Sequence, residues 1–532
     1  MYIGWYINCT YPLKRLAKYN LSGSPLLYLP CELVVHTASY LSLDDLFSLR
    51  LTCRRVETFL FETFSVEFFS DRRFMVNECL RCLLNISKHS HLSRCLSRLT
   101  IGLDRLYSSD ALPSFGHRNG NADNPRVKKG IEPYKLEELA AEQNWLVSSG
   151  RLQLLLGEAL GNLANVVELS LRDANAVRGH LRPGLRQRLV SYGTAEIRRQ
   201  TGVDFLSDEP HLHSQDQFAD MVFSAALLAV ARSGKRLDAI SVDIQKQDMG
   251  LSSSAFVFPR SLLESLRPTL QSLRSLNLSV SFTYISLGSF AHGSLGFLRW
   301  QPHYLFSLLE ETPNLVSLRV ISKGQSFLLD GVIEWLARLV DLSTGKQVEK
   351  AKGSHMYGDL SASFDRITLS QTFHDLRDLE LGNMTAPSDS LSKIVQHLAG
   401  SLRKLCLCTI GVTVSRGDDE LDNDPGSANA WTSIFREMST YSSLENLQVG
   451  LLGHHTVNCT GNANGHQAVF LRSEVGTQSG PPGGLFDAWS YSGSVTSMKD
   501  FLLELSSKTI IICTRCRQRN PGYHSSDEVL EG

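Results

Sequence analysis

The sequence predicts a mixed α/β chain in which a short helical module precedes an array of strand-and-helix units. Two observations carry this. Residues 27–64 place apolar side chains at helical spacing on three short segments. Beyond them an apolar-x-x-apolar-x-apolar fragment recurs, and an amphipathic helix precedes most of its copies. At 532 residues the chain is long enough for two or more domains or one elongated repeat array. Its 42% hydrophobic and 20% charged content suits a folded soluble protein.

The helical module comes first. Leu29-Pro30 opens it, and proline in a first helical turn sacrifices no hydrogen bond. Leu33, Thr37, Tyr40 and Leu41 then fall at i, i+4, i+7 and i+8, on one helix face. Ser42 and Asp45 have the spacing of a capping box. Leu46, Leu49 and Cys53 line a second helix, and Val56, Phe59 and Leu60 a third. Some forty residues cannot bury three such faces alone, so a partner or the rest of the chain must cover them.

This stretch resembles the F-box, on Leu29-Pro30-x-Glu32-Leu33, Tyr40-Leu41, Asp45-Leu46, Leu49-Arg50-Leu51 and Cys53-Arg54-Arg55. The resemblance implies a three-helix module over 26–66 that docks on a Skp-family adaptor and, through it, on a cullin, in an SCF-type ubiquitin ligase. It assigns adaptor contact to Leu29, Pro30, Leu33, Leu41, Leu46, Leu49, Cys53 and Val56. Thr37 and Ala38 stand where the family usually has large aliphatics, which implies a weaker adaptor affinity than is typical. Residues 1–25 form a weakly ordered lead-in.

After the module, Ser65–Phe69 is expected to be a strand and 72–87 an amphipathic helix with Met75, Cys79, Cys82, Leu83 and Ile86 on one side. Ser97–Ile101 is the next strand. The repeating fragment then appears as Leu96/Leu99/Ile101, Val166/Leu169/Leu171, Leu237/Ile240/Val242 and Leu273/Leu276/Leu278. It continues as Leu315/Leu318/Val320, Leu376/Leu379/Leu381, Leu402/Leu405/Leu407 and Leu444/Leu447/Val449. The last two positions of each lie two apart, as inward residues of a strand must. Helices are expected at 151–163, 216–233, 260–270, 303–311, 389–399 and 430–440.

Helix followed by L-x-x-L-x-L is similar to the degenerate leucine-rich repeats that follow F-boxes in many fungal proteins. That implies an irregular right-handed β-α solenoid over 67–513. Its alternative is a non-repetitive α/β domain whose strands share leucine spacing. Insertions are expected at about 107–135, 172–215, 412–428 and 454–495, then a helix at 497–505, a last strand at 508–513 and a polar tail at 514–532.

Residues 172–199 hold seven arginines against Asp173 and Glu196. Arg182, Arg186 and Arg188 are therefore candidates for gripping carboxylates or phosphates of a protein substrate, against the plainer reading of a solvated insertion. Cys79-x-x-Cys82 with His89 and His91, Cys513-x-x-Cys516, His454/His455/Cys459/His466 and His211-x-His213 are faint metal patterns. Packing or solvation accounts for each better, and no metal or other cofactor is expected. No Walker loop, Gly-x-Ser-x-Gly elbow or His-Glu-x-x-His occurs, which suits a binding protein rather than an enzyme.

A formal net charge of −1 supplies no global attraction to nucleic acid or membrane. The longest apolar helix candidate, Met221–Ala231, is far short of a membrane span. Eleven scattered cysteines suit a reducing compartment, cytoplasmic or nuclear. The expected function is a non-catalytic substrate receptor, with a non-ligase interaction scaffold as the alternative and an enzyme a distant third. By period-two alternation Ser170, Ser241, Asn277, Arg319, Glu380, Cys406 and Gln448 should project from the sheet, with Arg319 and Glu380 as candidate substrate contacts.

Overall fold

A computed structural model describes residues 25–41, 43–106, 133–174, 176–177, 188–189, 191–201, 217–246, 249–281, 303–323, 332–337, 373, 375–414, 429–441, 443–456, 466–471, 485–486 and 488–512. The lead-in, the polar tail, Ser42 and most of the expected insertions lie outside the described residues. The chain divides into two units. One comprises Met1–Leu237 with Asp243–Gln247 and Glu264–Thr269; the other comprises Asp238–Val242, Asp248–Leu263 and Leu270–Gly532.

The first unit opens on α1 (Cys31–Ala38), α2 (Leu43–Arg50) and α3 (Arg54–Phe69). Both shorter helices pack on α3. Val34, Ala38, Leu46, Val56, Leu60, Phe64 and Phe68 form their core. Phe64 lies 4.6 Å from Phe68 and 5.6 Å from Phe47 between ring centres. Buried Arg50 lays its guanidinium 3.4 Å over the Phe64 ring and reaches Glu57 at 3.5 Å.

Ser65–Phe69 is the last turn of α3, not the strand that was expected. Val66 and Phe68 lie two apart as in a strand, while Phe64 and Phe68 lie four apart as on a helix face, and packing of Phe64 and Phe68 on Phe47 selects the helix. The expected helix over 72–87 is likewise two elements: β1 (Asp71–Met75) and α4 (Leu80–Lys88). The strand forms because β2 (Arg98–Gly102) offers it a parallel partner, pairing Arg72 with Leu99 and Phe74 with Ile101.

The unit continues through α5 (Leu92–Cys95), α6 (Pro133–Ser148), α7 (Arg151–Asn162), β3 (Glu168–Arg172), α8 (Thr194–Thr201) and α9 (Phe218–Ser233). β3 joins β2 in parallel, aligning Leu99 with Leu169 and Ile101 with Leu171. These residues are buried, and α7 packs between α4 and α9. Tyr192 hydrogen-bonds along the free edge of β1, its N–H donating to Arg73 O at 2.7 Å, which blocks further strand addition. Gly193 follows with φ of +107°, where a Cβ would stand 2.4 Å from Cys79 Sγ.

The other face of this sheet is covered. Arg73, Thr100 and Ser170 stand in one lateral register, and Ser170 is 3% exposed rather than projecting from an open surface. Asp104 lies against Arg73, bonded to its Nη2 at 3.0 Å, and accepts a short hydrogen bond from Ser191. Beside it Met75, Leu106, Leu136 and Ala140 pack with Ile197. Gln143, fully buried on α6, donates to Val76 O at 3.0 Å and Asp104 O at 2.9 Å and accepts from Leu106 N at 2.9 Å. α6 lies largely, and α8 wholly, in stretches without a Leu repeat, so strand spacing did not reveal this layer. α8 falls within the insertion expected over 172–215.

The second unit contains β4 (Ala239–Asp243, through Val242), α10 (Arg260–Ser272, apart from Glu264–Thr269), β5 (Ser275–Val280), α11 (His303–Glu310), β6 (Ser317–Ser322), β7 (Asp378–Pro387) and α12 (Ser388–His397). β8 (Lys404–Val414), α13 (Ala430–Tyr441) and β9 (Asn446–Gly450) follow. From β4 to β9 each strand pairs in parallel with the next in sequence. The last two residues of all eight apolar triples fall on strands of the two units, and the first of each lies just before its strand. In the second unit Ile240, Leu276, Leu318, Leu379, Leu405 and Leu447 align in one buried row. Burying each such side chain contributes about 1.5–3 kcal/mol.

The backbone turns to positive φ at Asn383 in β7 and Thr409 in β8, and at Leu451 just after β9, with values of 55°, 57° and 51°. Register sets Thr409 level with Asn383, because Cys408 pairs with Gly382 and Ile410 with Met384. Gly450 and Gly453 pair with Cys408 and Gly411, which puts Leu451 at the same crossing. Asn383 offsets part of the strain by donating its side-chain amide to Ser322 O at 2.8 Å.

The stretch 454–495, expected as an insertion, carries antiparallel strands. β10 (Gly453–Thr456) pairs with β11 (His466–Leu471), and β12 (Ala488–Ser492) pairs with the edge of β9. After α14 (Val495–Lys508), capped by Ser494, β13 (Thr509–Ile512) pairs with β11 instead of extending the parallel array. β12 thus covers the parallel edge that β9 would otherwise expose.

Candidate protein-interaction surfaces

In the helical module, α1 buries Val34 and Ala38, which turns its opposite side outward. Leu33 is 49% and Tyr40 76% exposed; Leu29, Pro30, Thr37 and Leu51 are exposed as well, and Tyr28 stands beside them in sequence. Large apolar side chains so placed form a surface suited to a protein partner. Of the residues assigned to adaptor contact, Leu29, Pro30 and Leu33 lie on the surface, and Leu41, Leu49 and Cys53 are half-buried. Leu46 at 4% and Val56 at 1% lie inside the module, where they hold α2 and α3 together. Tyr28 and Leu51 were not singled out by spacing, because helical periodicity does not tell an inward stripe from an outward one.

The second surface is a row across the polar face of the second unit's sheet. Ser241, Asn277, Arg319, Glu380, Cys406 and Gln448 are successive lateral partners. Asn277 Nδ2 donates to Ser241 Oγ at 3.1 Å, and Arg319 Nε lies 2.8 Å from Glu380 Oε1. Both members of that ion pair are about one-third exposed. Cys406 is 3% exposed and does not project as expected. The other side chains of this row present donors and acceptors on a framework held by backbone ladders, a rigid platform for recognition. Cys408, two residues beyond Cys406 on the same face, belongs to this surface too and was not singled out from the sequence.

Arg182 and Arg186 lie outside the described residues. Arg188 begins a two-residue strand, Arg188–Leu189, paired antiparallel with Ala176–Val177. Asp173 accepts from the backbone N–H groups of Gln245 and Lys246 at 2.7 and 2.8 Å, so it caps that turn. Cys79 and Cys82 sit at and just inside the start of α4, and burial pushes both thiols up, Cys79 to about 11. Among the described residues no three His, Cys, Asp or Glu side chains gather as metal ligands. No helix among them is long and apolar enough to cross a membrane.

Residues 26–59 match the F-box domain family, which covers α1, α2 and the first turns of α3. The chain therefore carries an F-box domain at its N-terminal helical module. No curated protein matches the chain.

Proposed function

We propose that this protein is a substrate-recognition subunit of an SCF-type cullin–RING ubiquitin ligase. The F-box docks on a Skp-family adaptor, and through it on a cullin. The strand-and-helix array behaves as a degenerate leucine-rich-repeat solenoid whose polar sheet face captures a protein substrate. The observation that carries this reading is the F-box match over 26–59 on a module whose Leu29, Leu33 and Tyr40 side chains point to solvent. A receptor needs no catalytic constellation, because ubiquitin transfer belongs to other subunits of such ligases. The working compartment under this reading is cytoplasm, nucleus or both.

The experiment is co-purification of the full chain with and without residues 27–64. A receptor brings down adaptor and cullin only when the segment is present, and a substrate with or without it. A chain that retains adaptor but never cullin is a non-ligase scaffold. Equal adaptor recovery in both cases overturns the docking assignment.

A further inference from the structure

β8 carries two cysteines on its polar face, Cys406 and Cys408, with sulfurs 3.5 Å apart. Cys406 is buried, whereas Cys408 is partly exposed. In register Cys408 stands between Gly382 of β7 and Gly450 of β9, so neither neighbouring strand raises a side chain at its level. On the β7 side Ile321 leans over Gly382, where a Cβ would lie 2.6 Å from its Cδ1. A small reagent thus meets Cys408 first, with the second thiol directly behind it.

We propose that Cys406 and Cys408 form a reversible redox pair that reacts with a peroxide-class oxidant. The Cys408 thiolate attacks a peroxide oxygen; an S–O bond forms, the O–O bond breaks, and the leaving oxygen takes a proton and departs as water or alcohol. Cys406 sulfur then attacks the sulfenic sulfur of Cys408. The S–S bond forms, the S–O bond breaks, and the thiol proton leaves with the hydroxyl as water. Two thiols are oxidised by two electrons and one peroxide is reduced.

The electrostatics agree with this division of roles. Donation from the Cys406 thiol, aided by the Arg319 charge, brings Cys408 down to about 7 against burial and Glu380. The same hydrogen bond and burial push Cys406 up, so it waits as the thiol. Same-face positions two apart on a strand are separated by about 6.6 Å between Cα atoms. That is at the upper end of what a disulfide spans, so the bond is strained and readily reduced. Reversibility follows from the strand geometry.

The test uses the full chain and hydrogen peroxide at neutral pH, with alkylation and peptide mapping. The peptide from Leu405 to Arg416 should become lighter by two hydrogen atoms and regain both alkylation sites after a thiol reductant. Cys406→Ser should stop at a sulfenic acid on Cys408 that dimedone traps, and Cys408→Ser should leave Cys406 unmodified at the same dose. Exposed Cys31, whose peptide from Tyr19 to Arg50 holds no second cysteine, is the internal comparator and should show no loss of two hydrogen atoms. Sulfenic and sulfinic products at Cys408 without the internal bond overturn the proposal.

Discussion

Arg319 and Glu380 stand side by side on β6 and β7, directly paired in register, with Arg319 Nε 2.8 Å from Glu380 Oε1. Their partial exposure limits what the pair contributes to stability to about 0.2–1 kcal/mol. Arg319→Glu alone sets two carboxylates face to face and should lower stability by about that much; adding Glu380→Arg should restore it, as read by a urea double-mutant cycle. The swapped protein nevertheless shows an inverted charge pattern to a partner. Substrate capture should fall about tenfold with adaptor co-purification unchanged. Normal capture by this double mutant, with release on charge reversal of Arg182, Arg186 and Arg188, would move the recognition site to that segment.

The helical module separates docking from folding. Leu29→Asp with Leu33→Asp places charge on side chains that already face water, so the helical signal should persist while adaptor co-purification is lost. Leu46→Asp puts a carboxylate in the core beside α3, an uncompensated burial worth several kcal/mol, and should melt the module itself. Circular dichroism melts on both variants distinguish the two outcomes. Adaptor retention by the folded Leu29/Leu33 variant refutes docking through that face.

Gln143 tests the cover over the first unit's sheet. Gln143→Leu keeps the size but strands Val76 O, Asp104 O and the Leu106 N–H without their partner. The expected loss is about 2–4 kcal/mol in urea unfolding of this unit. A change below roughly 0.5 kcal/mol would mean that α6 is not held by this side chain.

Glu310 makes stability depend on pH. Burial pushes its carboxyl up to about 7, against the hydrogen bond with Trp335. An acid whose folded value lies above its unfolded value keeps its proton longer when folded. Its contribution to stability is therefore largest below about pH 4.5 and declines as pH rises toward 7, where it levels off. Glu310→Gln should be more stable than the parent at pH 8, with the advantage gone near pH 4. Parallel stability curves for the two proteins across that range would exclude a buried, protonated Glu310.

Much of the strand framework was legible from local spacing. The last two positions of each L-x-x-L-x-L triple lie on a strand, because a residue pair two apart must share a face whatever the strand pairs with. The amphipathic helices preceding the strands were legible for the same reason, since period 3.6 is a property of the segment alone. The F-box pattern is equally local, carried by Leu29-Pro30, Leu33 and the residues through Arg55 within one short stretch.

Tertiary structure decided the rest. Ser65–Phe69 satisfies both periods, so only the packing of Phe64 and Phe68 on Phe47 makes it helix. Leu33 and Leu46 are equally apolar in sequence, yet α3 buries one and leaves the other in water. Ser170 and Ser241 occupy the same position of the repeating fragment. Ser170 is buried, in a sheet where Arg73 holds Asp104 and α6 is anchored by Gln143 to Val76, 67 residues apart; Ser241 stays on a polar face with Asn277 beside it. Periodicity determines which residues share a face. What covers that face depends on segments distant in the chain, whose position is fixed only when burial and hydrogen bonding are satisfied together.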